Sequence, residues 1–193
     1  MTKEPLLFET IKIEDGQILN IFWHNQRCNR ARYRLFNVKK AINLERYIQP
    51  PPKGVYRCRV VYNREIISIE YIPYKIKTIR SFKIIKSQLE YSYKYNNRDE
   101  INRLLYNKSD DIIIEKDGFL TDTSIANIAF YTGEVWITPK KPLLEGTTRA
   151  RLINSNFLIT ENIKSKELQK FSHFALMNAM IGFQIQKSIN IEP

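Results

Sequence analysis

Hydrophobic and polar positions alternate with period two over Leu7-Phe8-Glu9-Thr10-Ile11-Lys12-Ile13, and Asp15-Gly16 follows as a two-residue turn signal. Residues 4–20 are therefore expected to form a β-hairpin. Residues 23–36 are rich in Arg and Asn and suit a short basic helix, with Trp23, Arg27 and Arg30 near one face. Residues 43–47 suit another helical piece, and Pro50-Pro51-Pro52 punctuates the chain. The β-branched and aromatic runs at 55–62, 66–71 and 80–85 predict three half-buried strands. Residues 89–94 alternate again, and residues 97–108 suit a helix with an Asn cap and with Ile101, Leu104 and Leu105 on one face. Lys94 is thereby placed just after a strand and just before a helix.

The second half reads as β-rich first and helical later. Ile112-Ile113-Ile114 predicts a buried strand, Asp117-Gly118 a turn, and residues 125–131 and 135–138 two more strands. Pro139 and Pro142 mark a loop, and Gly146-Thr147-Thr148-Arg149 leads into a helix through about Asn154. A later helix is expected near 166–171, before an apolar segment at 174–183. No internal repeat or low-complexity tract interrupts this α+β pattern, and a boundary between two α+β halves is expected between about Tyr93 and Asp110.

Composition narrows the class. A chain of 193 residues with 43% hydrophobic residues can bury a real core as one generous domain or two small ones. No apolar run approaches the ~18–20 residues of a membrane span, and Met1-Thr2-Lys3-Glu4-Pro5 lacks the layout of a signal peptide. A cytoplasmic protein with no membrane partner is the expectation. Cys28 and Cys58 have no metal or redox spacing, so they are read as free thiols and no metal site is expected. The net charge of +11 would suit an anionic partner, yet the basic residues are scattered, without a block of like charges or a nucleic-acid-binding motif. Nucleic acid is not expected; composition bias explains part of the charge.

Two segments carry candidate chemistry. Gly146-Thr147-Thr148-Arg149 opens a helix, where backbone N–H groups, the helix dipole and hydroxyls suit a phosphate, although a plain helix cap explains the same residues. Residues 118–127, Gly-Phe-Leu-Thr-Asp-Thr-Ser-Ile-Ala-Asn, are denser than a turn requires; taken singly, Asp122 reads as a loop acid and Asn127 as a backbone-bonding turn residue. With Phe8-Glu9-Thr10, His24-Asn25-Gln26-Arg27, Trp136-Ile137-Thr138-Pro139 and Leu143-Leu144-Glu145-Gly146-Thr147-Thr148-Arg149, these motifs lie in one order along nearly the whole chain. In that order they resemble the class IV aminotransferases, the fold-type-IV pyridoxal-phosphate enzymes, which include branched-chain and D-amino-acid aminotransferases and 4-amino-4-deoxychorismate lyase.

The resemblance implies a small N-terminal α+β domain, residues 1–93, and a larger C-terminal domain, residues 94–193, with pyridoxal 5'-phosphate between them and a homodimer completing the pocket. It implies a catalytic lysine, and Lys94-Tyr95-Asn96-Asn97-Arg98 matches the lyase-like pattern Lys-x-x-Asn-Arg. Lys94 is thus the expected Schiff-base lysine and acid/base, with Asn97 and Arg98 beside it; Lys83, Lys86 and Lys108 lack that pattern. Asp122 aligns with the acidic residue that pairs with the pyridinium nitrogen, where the family usually has Glu. Arg27 matches the arginine that holds the cofactor phosphate, and Thr147 and Thr148 match its other ligands. Asn178-Ala179-Met180 falls where the family has a second loop, so Asn178 and Met180 are expected beside the cofactor, Met180 through its backbone. Arg57 and Arg59, on one strand edge, are expected to receive a small anionic, amino-acid-like substrate. His24 is read as structural and His173 as surface or core. The family's first strand and glycine-containing loop before Phe8-Glu9-Thr10, which help wall the substrate pocket, have no counterpart here. The leading expectation is a lyase releasing pyruvate and 4-aminobenzoate for folate synthesis; the alternative is an aminotransferase for branched-chain or D-amino acids.

Overall fold

A computed structural model of the chain describes residues 4–105, 109–186 and 190–192. Contacts divide the chain into two units: residues up to Ile76 together with Tyr93–Asn97, and Lys77–Ser92 together with Arg98 onward. This differs from the single break expected between residues 93 and 94, for two local reasons. Residues 77–92 contain a strand that joins the second sheet. Residues 93–97 return to the first unit, where the Phe8 N–H donates to the Lys94 carbonyl at 3.0 Å and the Asn96 N–H to the Leu6 carbonyl at 2.8 Å.

In the first unit, β1 (Leu7–Glu14) and β2 (Gln17–Ile18) form the expected hairpin. Asp15 and Gly16 both have positive φ, 46° and 82°, as a tight turn of that kind demands. The helix α1 (Ile21–Phe36) starts two residues before the expected position and ends where Asn37 turns left-handed. A 3₁₀ turn at Leu44–Arg46 takes the place expected for a helical piece. The strands β3 (Val55–Tyr62) and β4 (Ile66–Pro73) complete an antiparallel sheet in the order β2-β1-β3-β4. Period-two alternation decides the faces. Leu7, Glu9, Ile11 and Ile13 are buried, and Leu7, Ile11 and Ile13 share a core with Cys58, Val60 and Tyr62 of β3 and with Cys28, Ala31 and Phe36 of α1. Four α1 residues spaced by helical turns, His24, Cys28, Ala31 and Phe36, are all buried. Glu9 therefore sits at an apolar-face position.

The second unit holds β5 (Ser81–Lys86), the short helix α2 (Asp99–Leu104), β6 (Asp111–Lys116), β7 (Phe119–Thr123), β8 (Asn127–Tyr131), β9 (Trp136–Pro139), the helix α3 (Thr147–Asn154), β10 (Leu158–Glu161), β11 (His173–Asn178), β12 (Gly182–Gln186) and β13 (Asn190–Glu192). The sheet order is β10-β9-β8-β7-β6-β5-β13, and β11 pairs with both β8 and β12. The core gathers Phe82, Ile113, Leu120, Ile128, Phe130, Phe174 and Leu176.

Several expectations are corrected. Residues 89–94 form no strand; Leu89 and Tyr91 are buried from an irregular segment, and Tyr95 makes an isolated bridge to Leu7. Among the described residues, α2 covers only Asp99–Leu104, capped at Arg98 instead of Asn97; Lys108 lies outside the described residues. The helix expected at 166–171 is a 3₁₀ turn, Ser165–Lys170. The apolar segment at 174–183 is a β-hairpin. Its strand β11 crosses a fully packed interior, so both faces are apolar and the period-two signal vanishes.

Candidate active site

The first unit presents a buried charge network. Glu9 accepts from Arg27 Nε at 2.9 Å and from Arg27 Nη2 at 2.5 Å, a bidentate fork. His24 Nδ1 donates to Glu9 Oε2 at 2.6 Å. Glu9 and His24 are both fully buried. Burial alone would raise the Glu9 pKa, but the Arg27 guanidinium and the two hydrogen-bond partners overcome it and bring it down to about 2. His24 goes the other way: burial outweighs Glu9 and keeps the imidazole neutral, which fixes the proton on Nδ1. Its Nε2 is buried with no hydrogen-bond partner among the described residues. His24 is structural, as expected, while the fork of Arg27 is occupied by Glu9 through Nε and Nη2.

The opposite face of the same sheet is cationic. Arg57 and Arg59 lie two apart on β3 and share that face with Phe8 and Lys12 of β1. Against the expectation of a strand edge, β3 is interior, paired on both sides by β1 and β4. The Arg59 guanidinium stands 4.0 Å from the centroid of the Phe8 ring, and Lys94 Nζ stands 4.6 Å from the same ring. Arg59 also donates to Asn96 Oδ1 at 2.6 Å. Residues 93–97 thus bring Lys94 and Asn96 to the face that carries Phe8 and Arg59, while Arg57 is exposed.

In the second unit, Asp122 is buried near the end of β7. Its Oδ1 accepts from Asn127 Nδ2 at 2.7 Å, and its Oδ2 accepts from the Leu144 backbone N–H at 2.8 Å. Despite these bonds and the nearby Arg149 charge, burial dominates and pushes the carboxyl up to about 6. Asn127 Nδ2 also donates to the Leu144 carbonyl at 2.8 Å. Two residues on, Gly146 caps α3, whose first turn carries Thr147 and Thr148, both buried. Arg149 is buried, donates from Nη2 to the Pro139 carbonyl at 2.8 Å, and has an Nε without a partner among the described residues. Burial lowers its pKa while Asp122 and Glu145 raise it.

The remaining expected residues have other commitments. Arg98 donates to the Ser124 carbonyl at 2.7 Å. Asn178 Oδ1 accepts the backbone N–H of Met180 and of Ile181, shaping the β11–β12 turn, and Met180 is buried. Asn97 belongs to the returning segment of the first unit. His173 is exposed beside Ser172, the surface alternative. Cys28 and Cys58 are free, buried thiols, each raised to about 12 by burial. No group of metal-binding side chains occurs among the described residues, and no helix among them is long and apolar enough to cross a membrane.

Sequence reading gave Glu9, Asn127 and Arg149 no role in the site. The signal for Glu9 was available: an acid at an apolar position of an alternating strand requires a buried partner. Asn127 and Arg149 gave none, because their partners, Asp122 and the Leu144 carbonyl for Asn127 and the Pro139 carbonyl for Arg149, are brought to them only by the fold.

The donor set of the second unit fits pyridoxal phosphate. A buried carboxylate whose pKa burial has raised gains from a cationic ring nitrogen. The α3 N-terminus, with two hydroxyl residues and no side chain on Gly146 to cap it, suits a phosphate.

Comparisons with known proteins agree. Residues 6–189 match the family model for class IV amino-transferases. An uncharacterized protein of Haemophilus influenzae (strain ATCC 51907 / DSM 11121 / KW20 / Rd) is 38% identical over 184 residues, 91% of this chain and 98% of that protein. A solved structure from Haemophilus somnus 129pt, to which 4-amino-4-deoxychorismate lyase activity is attributed, is 35% identical with a TM-score of 0.84, covering 94% of this chain and all of that one. The PLP-bound form of a hypothetical aminotransferase from Mycobacterium tuberculosis shares the fold at 15% identity, with a TM-score of 0.77 over 97% of this chain and 82% of that one. The chain belongs to the class IV aminotransferase family, and with it to the pyridoxal-phosphate enzymes of fold type IV.

Proposed function

We propose that the chain is a lyase that converts 4-amino-4-deoxychorismate to 4-aminobenzoate and pyruvate. The observation that supports this reading is the whole-length, 35% identical match to the Haemophilus somnus protein. The cationic face carrying Arg59 and Lys94 suits a substrate with two carboxylates.

When bound, pyridoxal phosphate supplies a carbonyl for the substrate amine and a ring that accepts electrons. In this reading Lys94 would be the residue that holds the cofactor, and its amine, once free, would take the proton from the carbon that bears the substrate nitrogen. The bond from the neighbouring ring carbon to the enolpyruvyl oxygen would break with its electrons leaving on that oxygen, the ring would become aromatic, and the enolpyruvate would take a proton back, from Lys94, to give pyruvate. Lys94 Nζ and the Arg59 guanidinium both stand against the Phe8 ring, which holds the lysine on this cationic face. Asp122 would face the ring nitrogen and keep it protonated. Thr147 and Thr148 would hold the phosphate through backbone N–H groups and hydroxyls, and Arg27, whose Nε and Nη2 are on Glu9, would add its remaining nitrogen. In this reading Asn97, Arg98, Asn178 and Met180 would stand beside the cofactor, and Arg57 and Arg59 would receive the substrate carboxylates. The reading carries with it a cytoplasmic homodimer that feeds folate synthesis.

The test is a paired assay on the purified chain loaded with cofactor. Release of 4-aminobenzoate without amino transfer from glutamate is the expected result. Amino transfer to a branched-chain or other 2-oxo acid, without 4-aminobenzoate, assigns the chain to the aminotransferases instead.

A further inference from the structure

Four observations meet at Asn127. Its Nδ2 donates both to Asp122 Oδ1, at 2.7 Å, and to the Leu144 carbonyl, at 2.8 Å. The Leu144 N–H donates to the other oxygen of Asp122 at 2.8 Å, so Asp122, Asn127 and Leu144 form a closed ring of hydrogen bonds. Both acceptors of Asn127 are oxygens, which settles the orientation of the amide. Gly146 lies so close to Asn127 that a Cβ there would fall inside van der Waals contact of Oδ1 and 3.1 Å from Cγ. The amide is buried, and its backbone is paired to Asp122 in the sheet and to Met177 of β11.

We infer that Asn127 is a positioning residue whose single amide sets two parts of the cofactor site at once, orienting the Asp122 carboxylate and fixing the loop from which Thr147 and Thr148 start α3. The inference rests on the reading that Asp122 and α3 serve the cofactor. The physical argument is geometric. An aspartate with a donor on each oxygen cannot rotate about its terminal bond without breaking one of them. The same amide pins the Leu144 carbonyl, two residues before the helix cap. The close approach of Gly146 prevents the loop from moving towards β8 and leaves the amide one rotamer. Asn127 thus ties an acid on one strand to a helix start about twenty residues later, along one hydrogen-bonded path. Among the described residues Arg149 is the charged group that acts on Asp122, and Glu145 in turn acts on Arg149.

The experiment uses the full chain with Asn127→Ser, which loses the amide, and Asn127→Leu, which keeps most of the volume and brings neither a donor nor a charge. The first readout is the titration of the Asp122 carboxyl by carbon-13 NMR of the chain without cofactor, with the resonance assigned through Asp122→Asn. Loss of a hydrogen bond to the ionised carboxylate is expected to raise the midpoint by about 1–2 pH units. The second readout is the ratio of affinities for pyridoxal phosphate and pyridoxal, which isolates the phosphate contribution. That ratio is expected to fall about tenfold or more when the loop before α3 is released. A folded variant with an unmoved Asp122 midpoint overturns the inference. A moved midpoint with an unchanged affinity ratio overturns its second half, because the loop would then be held without the amide. If Asn127→Ser fails to fold, Asn127→Leu is read in the same two ways. Failure of the wild-type chain to bind pyridoxal phosphate overturns the cofactor reading itself, while the NMR titration still decides whether Asn127 sets Asp122.

Discussion

Replacing Gly146 by alanine isolates the contact that holds the loop before α3. Gly146 has φ −69° and ψ 147°, which alanine adopts freely, so backbone strain contributes nothing. The cost is steric: the added carbon would overlap Asn127 Oδ1 and stand 3.1 Å from its Cγ. Asn127 cannot yield cheaply, because it is buried and its amide is held at 2.7 and 2.8 Å by Asp122 and Leu144. Displacing it loses one hydrogen bond to a charged group, about 1.5–3 kcal/mol, and one to a carbonyl, about 0.5–1.5 kcal/mol. Residual overpacking adds about 1 kcal/mol or more, so Gly146→Ala is expected to destabilise the second unit by about 3–5 kcal/mol. In an Asn127→Ala background the obstructing oxygen is gone. There the same substitution is expected to be neutral, or to stabilise by about 0.4–1 kcal/mol through the reduced entropy of the unfolded chain. The assay is urea unfolding of the four chains of this cycle in a Trp23→Phe background, so that Trp136 alone reports the second unit. A coupling of about 3 kcal/mol or more is predicted. Equal costs of Gly146→Ala in both backgrounds would refute the reasoning.

Other outcomes follow from the buried charges. The Asp122 pKa rises from 3.8 to about 6, so the folded chain binds a proton more tightly than the unfolded one. That contribution is fully present below pH 3.8 and is lost as pH climbs to about 6, about 3 kcal/mol in all. Thermal unfolding of the cofactor-free chain across that window, compared with Asp122→Asn, measures it, and identical profiles would contradict it. Glu9 has the opposite sign: lowered from 4.5 to about 2, it contributes stability above pH 4.5 that is lost as pH falls towards 2. Glu9→Ala leaves Arg27 and His24 without their partner, and urea unfolding should show a loss of about 3–5 kcal/mol. Cys28 and Cys58, both raised to about 12, should react with a disulfide reagent at neutral pH only after denaturation; rapid labelling of the folded chain would contradict their burial.

The parts of the fold that were legible in the sequence are those whose signal is local. Asp15-Gly16 and Asp117-Gly118 adopt positive φ at the turns they mark, and the strands β3 and β5 begin within about one residue of the β-branched runs that announce them. The helix α3 begins at Thr147, where Gly146-Thr147 announces it. What failed was non-local. Residues 89–94 alternate like a strand, yet their backbone finds no ladder partner, and Tyr93 and Tyr95 pack in the first unit instead. Strand β7 was hidden inside a motif rich in Thr, Asp and Ser; those side chains are buried because the sheet and the Leu144 loop supply their hydrogen bonds. Among the site residues, Lys94, Asp122, Thr147 and Thr148 carried a motif. Asn127 looked like a turn residue because its partners, Asp122 and Leu144, are brought to it only by the folded sheet and the loop before α3. Glu9 looked like one polar position of an alternating strand, and only the burial of its whole face shows that Arg27 and His24 must answer it.

The central claim is that Lys94 carries pyridoxal phosphate in this chain. It is tested most directly by loading the purified protein with the cofactor, reducing it with borohydride to make the linkage permanent, and locating the modified lysine by peptide mass spectrometry. The account predicts a single phosphopyridoxyl group on Lys94 and its absence, together with the visible absorbance, from Lys94→Ala. Modification of Lys83, Lys86 or Lys108 in its place, or an unchanged absorbance in Lys94→Ala, would contradict it.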